Sequence, residues 1–528
     1  MGLRRPTSVS LAVLGMVLAS GLGAEAEAQC SLEQRLSPWR VSCHTPLHSV
    51  PTVNVGAPVT DNSLSQAAVL SMFGRSRSPI DRDNGEVWAG RGLSFALAAG
   101  VGGSFGPLRF SVFPTVHWAQ NADFAVTDLL ERNYSPYIYP WDGRTIDWAQ
   151  RMGPASHGGI TSGQSFVELA GWSQSALGLS SENIWWGPSN RYPMLLGATS
   201  GGVPHVYAHS PVVTVGPLLA SANLVFGRPS ESDYFDAAEA NDLDLLGALR
   251  VEIALKSVPS ARIAVTSMTR QPWRSDLSLD DLLKLVPRST SQEPGESVDG
   301  IGAVTVIMPV GPGKGRLHGT WGRGDFFLDI EDLLTEPDHN QFWSVGFHRT
   351  WSSAVDLSEW MMSVEYASSA ASVTQNSTAV RGPTGSTVYR HEGSPQHGHT
   401  QRGQLLGPSI GPGARAGYMS LDRTEAGRLD GFLVERILWD IDAFSRQIKK
   451  NFPDGQDREW LFAGRVSRTI NISGIDPLRL DATGGVSLRW NRQYVRFTGS
   501  LLDKPSRETN LWVDLRFSWV PRHEASSN

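Results

Sequence analysis

The 528-residue chain has little of what most proteins of its length rely on. With only two cysteines, Cys30 and Cys43, neither a disulfide framework nor a cysteine-ligated metal centre can organise it. Charged residues make up 19% of the chain and the formal net charge is −6, which excludes both the basic surface of a nucleic-acid binder and the charge density of a disordered segment. A long apolar run is also missing beyond the N-terminus. The longest uncharged interval, Tyr192 to Gly227, is interrupted by Pro193, Pro204, Pro211 and Pro217 and by Gly201-Gly202, so no lipid-exposed helix can run through it. If this chain spans a membrane, strands must do it.

What is present begins with an export signal. Arg4 and Arg5 precede an apolar core from Val9 to Leu22, and Ala26-Glu27-Ala28 offers a small-residue cleavage site, so residues 1–28 read as a signal peptide. That core is too short to span a membrane as a helix, and Gln29 before Cys30 argues against a lipid anchor. In an oxidising periplasm a Cys30–Cys43 disulfide is the default expectation, contributing about 3 kcal/mol by closing a short loop.

The exported part is patterned with period two. In Leu511 to Val520, Leu511, Val513, Leu515, Phe517 and Trp519 alternate with Asp514, Arg516 and Ser518, as lipid-facing and lumen-facing positions do along a transmembrane strand. Leu249, Val251, Ile253 and Leu255 alternate with Arg250, Glu252 and Ala254; Trp360, Met362, Val364 and Tyr366 alternate with Met361, Ser363 and Glu365. Trp343-Val345-Phe347 and Trp460-Phe462 fit the same template, and Val486-Leu488-Trp490, Asn491-Arg492-Gln493, then Val495 and Phe497 read as a hairpin.

The fold class is therefore all-β, an antiparallel transmembrane β-barrel in the outer membrane. A soluble sandwich or propeller is the less favoured alternative, because the polar face carries the arginines and aspartates of a wet lumen. Asp61 to Phe73, Leu277 to Val286 and Phe326 to Leu334 have helical spacing and are expected as short helices, plugging the barrel or lying at its periplasmic side. Leu429 to Phe452 fits either a helix or a strand followed by a helix. The resulting layout is a periplasmic arm with a short helix at 29–90, a barrel at 91–520 and a tail at 521–528.

Three groups of residues carry chemistry-like patterns. Ser104 in Gly102-Gly-Ser-Phe-Gly106 and Ser409 in Gly407-Pro-Ser-Ile-Gly411 match a hydrolase elbow, but no convincing helix follows either, so chance is the better explanation. His397-x-His399, with His391 nearby, could hold a metal, yet only Glu392 lies close enough to complete a site, and a polar loop or lumen-facing strand is the favoured reading. The sequence therefore points to no catalytic residue, metal or cofactor. Ser181-Glu-Asn-Ile-Trp-Trp-Gly-Pro-Ser-Asn-Arg-Tyr192 could present tryptophans to a sugar ring beside Asn190 and Arg191, or supply packing and an interfacial belt.

Glu182-Asn-Ile-Trp-Trp-Gly-Pro-Ser-Asn190, continued by Leu195-Leu196, resembles the tryptophan-glycine-proline segment of the Wzi-type capsule assembly family. Tyr389 to Gly407, with Gly398-His-Thr-Gln-Arg-Gly-Gln-Leu-Leu-Gly407, is similar to a second segment of that family. The resemblance implies an outer-membrane barrel of about eighteen strands with small helical elements. It also implies a non-enzymatic role, holding capsular polysaccharide or exopolysaccharide at the cell surface. Candidate polysaccharide contacts are Trp185, Trp186, Asn190, Arg191, Tyr389 and Arg402. The ending Val520-Pro-Arg-His-Glu-Ala-Ser-Ser-Asn528 departs from a barrel that stops on an aromatic. A diffusion porin is the main rival, and an outer-membrane hydrolase acting through Ser104 or Ser409 the enzyme alternative.

Overall fold

The computed structural model describes residues 63–519, apart from internal segments at 81–82, 127–134, 142–144, 172–174, 236–241, most of 277–298, 312–313, most of 325–337, 354–357, most of 373–396, 472–476 and 495–505. The signal segment, Cys30, Cys43, His391, the tail, and most of the segments expected as helices at 277–286 and 326–334 lie outside the described residues.

The main sheet has 21 strand segments, all paired antiparallel with their neighbours. Three staves are each broken in two, Leu108–Val112 with Thr115–Ala119, His157–Thr161 with Phe166–Ala170, and His205–His209 with Val213–Val215. The sheet therefore has eighteen staves. The first, Ser63–Arg75, pairs with the last, Arg507–Trp519, in register from Ala68↔Trp519 to Arg75↔Trp512, so the sheet closes on itself.

This closure corrects the expected arm. Asp61 to Phe73 is not a helix: Ser63–Arg75 is a strand hydrogen-bonded along its length to Gly92–Phe105, so the barrel begins before residue 91. Ala, Leu and Met in SLSQAAVLSMFGR favour a helix, but two flanking strands supply a partner for its backbone groups, and Ala67, Val69, Ser71 and Phe73 present a buried face of period two. Leu429 to Phe452 is a strand, Arg428–Leu438, followed by a helical turn at Ile441–Ala443 and one of π type at Phe444–Ile448. In the C-terminal hairpin, Leu478–Trp490 pairs with Arg507–Trp519; Val495 and Phe497 lie outside the described residues.

The two ends differ. One carries tight connections such as Gly106-Pro107 and Ala426-Gly427, where both residues of the latter have positive φ (47° and 76°) as a two-residue hairpin turn requires. The other carries the long connections 120–156, 181–204 and 369–414. Short turns mark the periplasmic end and long loops the extracellular one. Outward side chains confirm the lipid face: Leu511, Val513, Val345, Val364 and Phe462 are exposed. Aromatic pairs flank it, Phe105–Phe110 and Trp351–Trp360 towards the short turns, Phe95–Trp118 and Trp343–Tyr366 towards the long loops.

Arginine at Val345, near mid-strand on this face, is expected to cost about 2–4 kcal/mol in denaturant titrations of barrels refolded into liposomes. A cost near zero would take that face out of lipid.

Candidate functional site

Described parts of the long extracellular connections turn inward, and their apolar residues form one core with the barrel wall. Ile184, Trp186, Tyr192, Met194, Leu195 and Leu196 from the 181–204 connection pack with Tyr389, Leu405, Leu406 and Ile410 from the 369–414 connection. Wall residues from Val225 around to Trp512 complete it. The two stretches that carry the family resemblance therefore meet inside the barrel. The Tyr389 hydroxyl donates to the Met194 carbonyl at 2.7 Å, His399 Nε2 lies 2.6 Å from the Leu195 carbonyl, and the Gly197 N–H donates to Leu406 at 2.8 Å.

Locally the tryptophan-glycine-proline stretch is a self-closed turn. The Trp185 indole N–H donates to the Ser189 carbonyl at 3.0 Å, and Gly187, at φ +134°, supplies a backbone conformation that residues with a side chain rarely adopt. The Trp186 N–H donates to Leu196 at 3.0 Å, pinning the turn to the leucine stretch that follows.

Two carboxylates of the wall hold this turn. Glu365, on Glu359–Ser368, accepts from the N–H groups of Asn190 (2.6 Å), Arg191 (3.0 Å) and Tyr192 (3.3 Å) and from the Ser189 hydroxyl. Glu435, on Arg428–Leu438, accepts from Arg191 Nε at 2.9 Å and the Tyr192 hydroxyl at 2.7 Å, while Arg191 Nη1 reaches Asp83 at 3.1 Å. Burial opposes the Arg191 charge, but Glu435 and Asp83 more than offset it and hold its pKa well above the ordinary value. Each carboxylate thus gathers several donors from a segment far away in sequence, which is what fixes an irregular loop inside a lumen.

The candidate contact residues are placed unequally. Trp186, Arg191 and Tyr389 are buried, Trp185 and Asn190 half-buried, and Arg402 is exposed. Trp185, Trp186, Asn190, Arg191 and Tyr389 belong to the plug. Arg402 stands apart at φ +49°, its N–H donating to the Ser230 carbonyl at 2.7 Å. Of the histidine loop, His397 Nε2 lies 3.0 Å from Asp244, and His399 stacks on Tyr389, its pKa brought down to about 3 chiefly by burial. Ser104 lies within a strand directly before a hairpin turn and Ser409 is buried in the plug, so neither stands on a strand-to-helix elbow. The residues that sequence reasoning missed are Glu365, Glu435, His318 and His348, all on the lumen side of wall strands.

One plug group should make stability depend on pH. Asp440 accepts from the Tyr139 hydroxyl and from the Ala443 N–H, and burial, opposed mainly by Arg390, raises its pKa to about 6. The folded state then holds the proton more tightly than the unfolded chain. The associated stability is present below about pH 4 and lost as pH rises through about 6, by about 3 kcal/mol. Asp440→Asn, which suits the left-handed backbone here (φ 42°, ψ 55°), should flatten that part of the thermal-stability profile.

No protein-family model and no curated protein sequence matches the chain. Among solved structures it is similar to Wzi, an outer-membrane protein involved in group 1 capsule assembly in Escherichia coli and described as a carbohydrate-binding β-barrel. Identity is 10%, over 85% of this chain and 83% of that one, with a TM-score of 0.54. A BenF-like porin from Pseudomonas fluorescens Pf-5 and OccAB2 from Acinetobacter baumannii also match at 10% identity, each covering 87% of this chain and 98% of theirs, with TM-scores of 0.41 and 0.40. These likenesses bear on the fold alone. The chain is an outer-membrane β-barrel protein of eighteen strands.

Proposed function

We propose that this protein is a non-enzymatic barrel that binds capsular polysaccharide or exopolysaccharide and helps hold or assemble it at the cell surface. The observation that carries this reading is the plug: the two resemblance-bearing stretches meet in the lumen, share an apolar core with the wall and are tied to it by Glu365 and Glu435. A diffusion pore needs a watery path, whereas a lumen filled this way suits a barrel whose work is done at its extracellular mouth. In this role Trp186, Arg191 and Tyr389 position the plug, and Arg402, the exposed member of the candidate set, is the residue proposed to touch polymer. The carbohydrate-binding description of Wzi supports the same ligand class.

The test has two arms. Wild-type protein in planar bilayers should pass no steady current, and immobilised protein should retain the producing organism's own surface polysaccharide, less strongly as Arg402→Ala. Steady open channels with no retention of polymer would replace this reading with the porin one.

A further inference from the structure

Three consecutive wall strands carry a second cluster in the lumen. His318 lies on Lys314–Gly324, His348 on Gln341–Ser352 and Glu365 on Glu359–Ser368, and all three side chains are buried. His318 and Glu365 are both in register with Gly346 on the strand between them. A Cβ at Gly346 would lie 2.4 Å from His318 Nε2 and 3.0 Å from Glu365 Cγ. The missing side chain at 346 is what allows the two groups to lean together, while His348 enters from two residues further along the same strand. The two Nε2 atoms are 2.7 Å apart, His348 Nε2 is 3.3 Å from Glu365 Oε1, and one ligand atom from each residue lies within 4.8 Å of the others.

We propose that this cluster binds one divalent transition-metal ion of the Zn²⁺, Co²⁺, Ni²⁺ or Cu²⁺ class, through two imidazole nitrogens and one carboxylate oxygen, with water completing the shell. Two imidazoles and a carboxylate are a ligand set such ions favour. Without an ion, the facing nitrogens share one N–H···N bond and His318 Nδ1 is buried with no hydrogen-bond partner among the described residues. Tetrahedral coordination at about 2.0–2.1 Å places ligand nitrogens roughly 3.3 Å apart, so the histidine pair need open by only about half an ångström.

Arg316, half-buried on the same strand as His318, donates to the Pro188 carbonyl at 3.2 Å. That neighbouring cation disfavours Mg²⁺ or Ca²⁺, which are held by charge and oxygen ligands, but leaves nitrogen coordination available. Asn190 Nδ2 lies 3.1 Å from His348 Nδ1; a 180° flip of that amide would put its carbonyl there to accept the Nδ1–H and leave the Nε2 lone pair for the ion. Glu365 also receives the Asn190, Arg191 and Tyr192 N–H groups, so the ion would fasten three wall strands and the plug at one point.

The test uses chelator-treated full-length protein in detergent, titrated with Co²⁺ and Zn²⁺. One equivalent should bind, Co²⁺ should develop a ligand-field absorption band, Zn²⁺ should raise the unfolding temperature, and His318→Gln and His348→Gln should each weaken binding at least tenfold. X-ray absorption of the wild-type zinc complex gives a readout that does not depend on variants folding; two imidazole ligands are expected. No binding, undiminished binding by both folded variants, or a zinc spectrum without imidazole scattering would overturn the proposal and leave the cluster a hydrogen-bonded histidine pair.

Discussion

Glu365→Leu is expected to turn a silent barrel into a conducting one. The carboxylate is 2% exposed and takes four donors from the Ser189–Tyr192 turn, all of which would lose their acceptor inside the lumen. Charge-assisted hydrogen bonds contribute about 1.5–3 kcal/mol each, and leaving buried donors unpaired adds their desolvation cost. Even with strong non-additivity, the plug should lose on the order of 3–5 kcal/mol of attachment, enough to release it while the closed β-ladder persists. Planar-bilayer recordings would then show steady or flickering channels from the variant alone. A silent, normally melting variant would mean that the apolar core holds the plug without this anchor.

Arg191→Met should be the most destabilising change in the tryptophan-containing turn, and the loss should come mainly from the carboxylate left without its partner. Arg191 is paired with Glu435, whose side chain is wholly buried, and with Asp83. Removing the guanidinium strands a buried carboxylate, an effect worth about 3–5 kcal/mol. The double variant Arg191→Met/Glu435→Met removes both charges and should recover most of that loss, because a buried pair replaced by apolar groups of similar volume is often near neutral. Thermal unfolding in detergent, read by the heat-shifted mobility of the barrel on gels, checks both. If the double variant were less stable than the single one, the Tyr192–Glu435 bond would be the larger anchor.

The strands were the most legible part of the chain. Leu511, Val513, Val345, Val364 and Phe462 do face lipid, because a lipid face and a wet lumen impose period two on each stave. The first strand was hidden: Ala67, Ala68, Leu70 and Met72 read as helix, and only the neighbouring strands that pair with it make Ser63–Arg75 extended. At the site, sequence singled out the two stretches that meet in the lumen. It could not show what holds them, since Glu365 lies 174 residues from Arg191 and Glu435 lies 244. The available signal was modest: Glu365 between Val364 and Tyr366, and Glu435 after Val434, are acids at inward positions of their staves. Such residues are also common in open lumens, so the pattern could not distinguish a channel wall from an anchor.

The central claim, that this barrel holds surface polysaccharide, is tested most directly by a binding isotherm of purified wild-type protein against the producing organism's own polymer, fractionated by chain length. The account predicts saturable binding that tightens with chain length, as many weak contacts to a repeating glycan require. Absence of saturable binding at every chain length would contradict it.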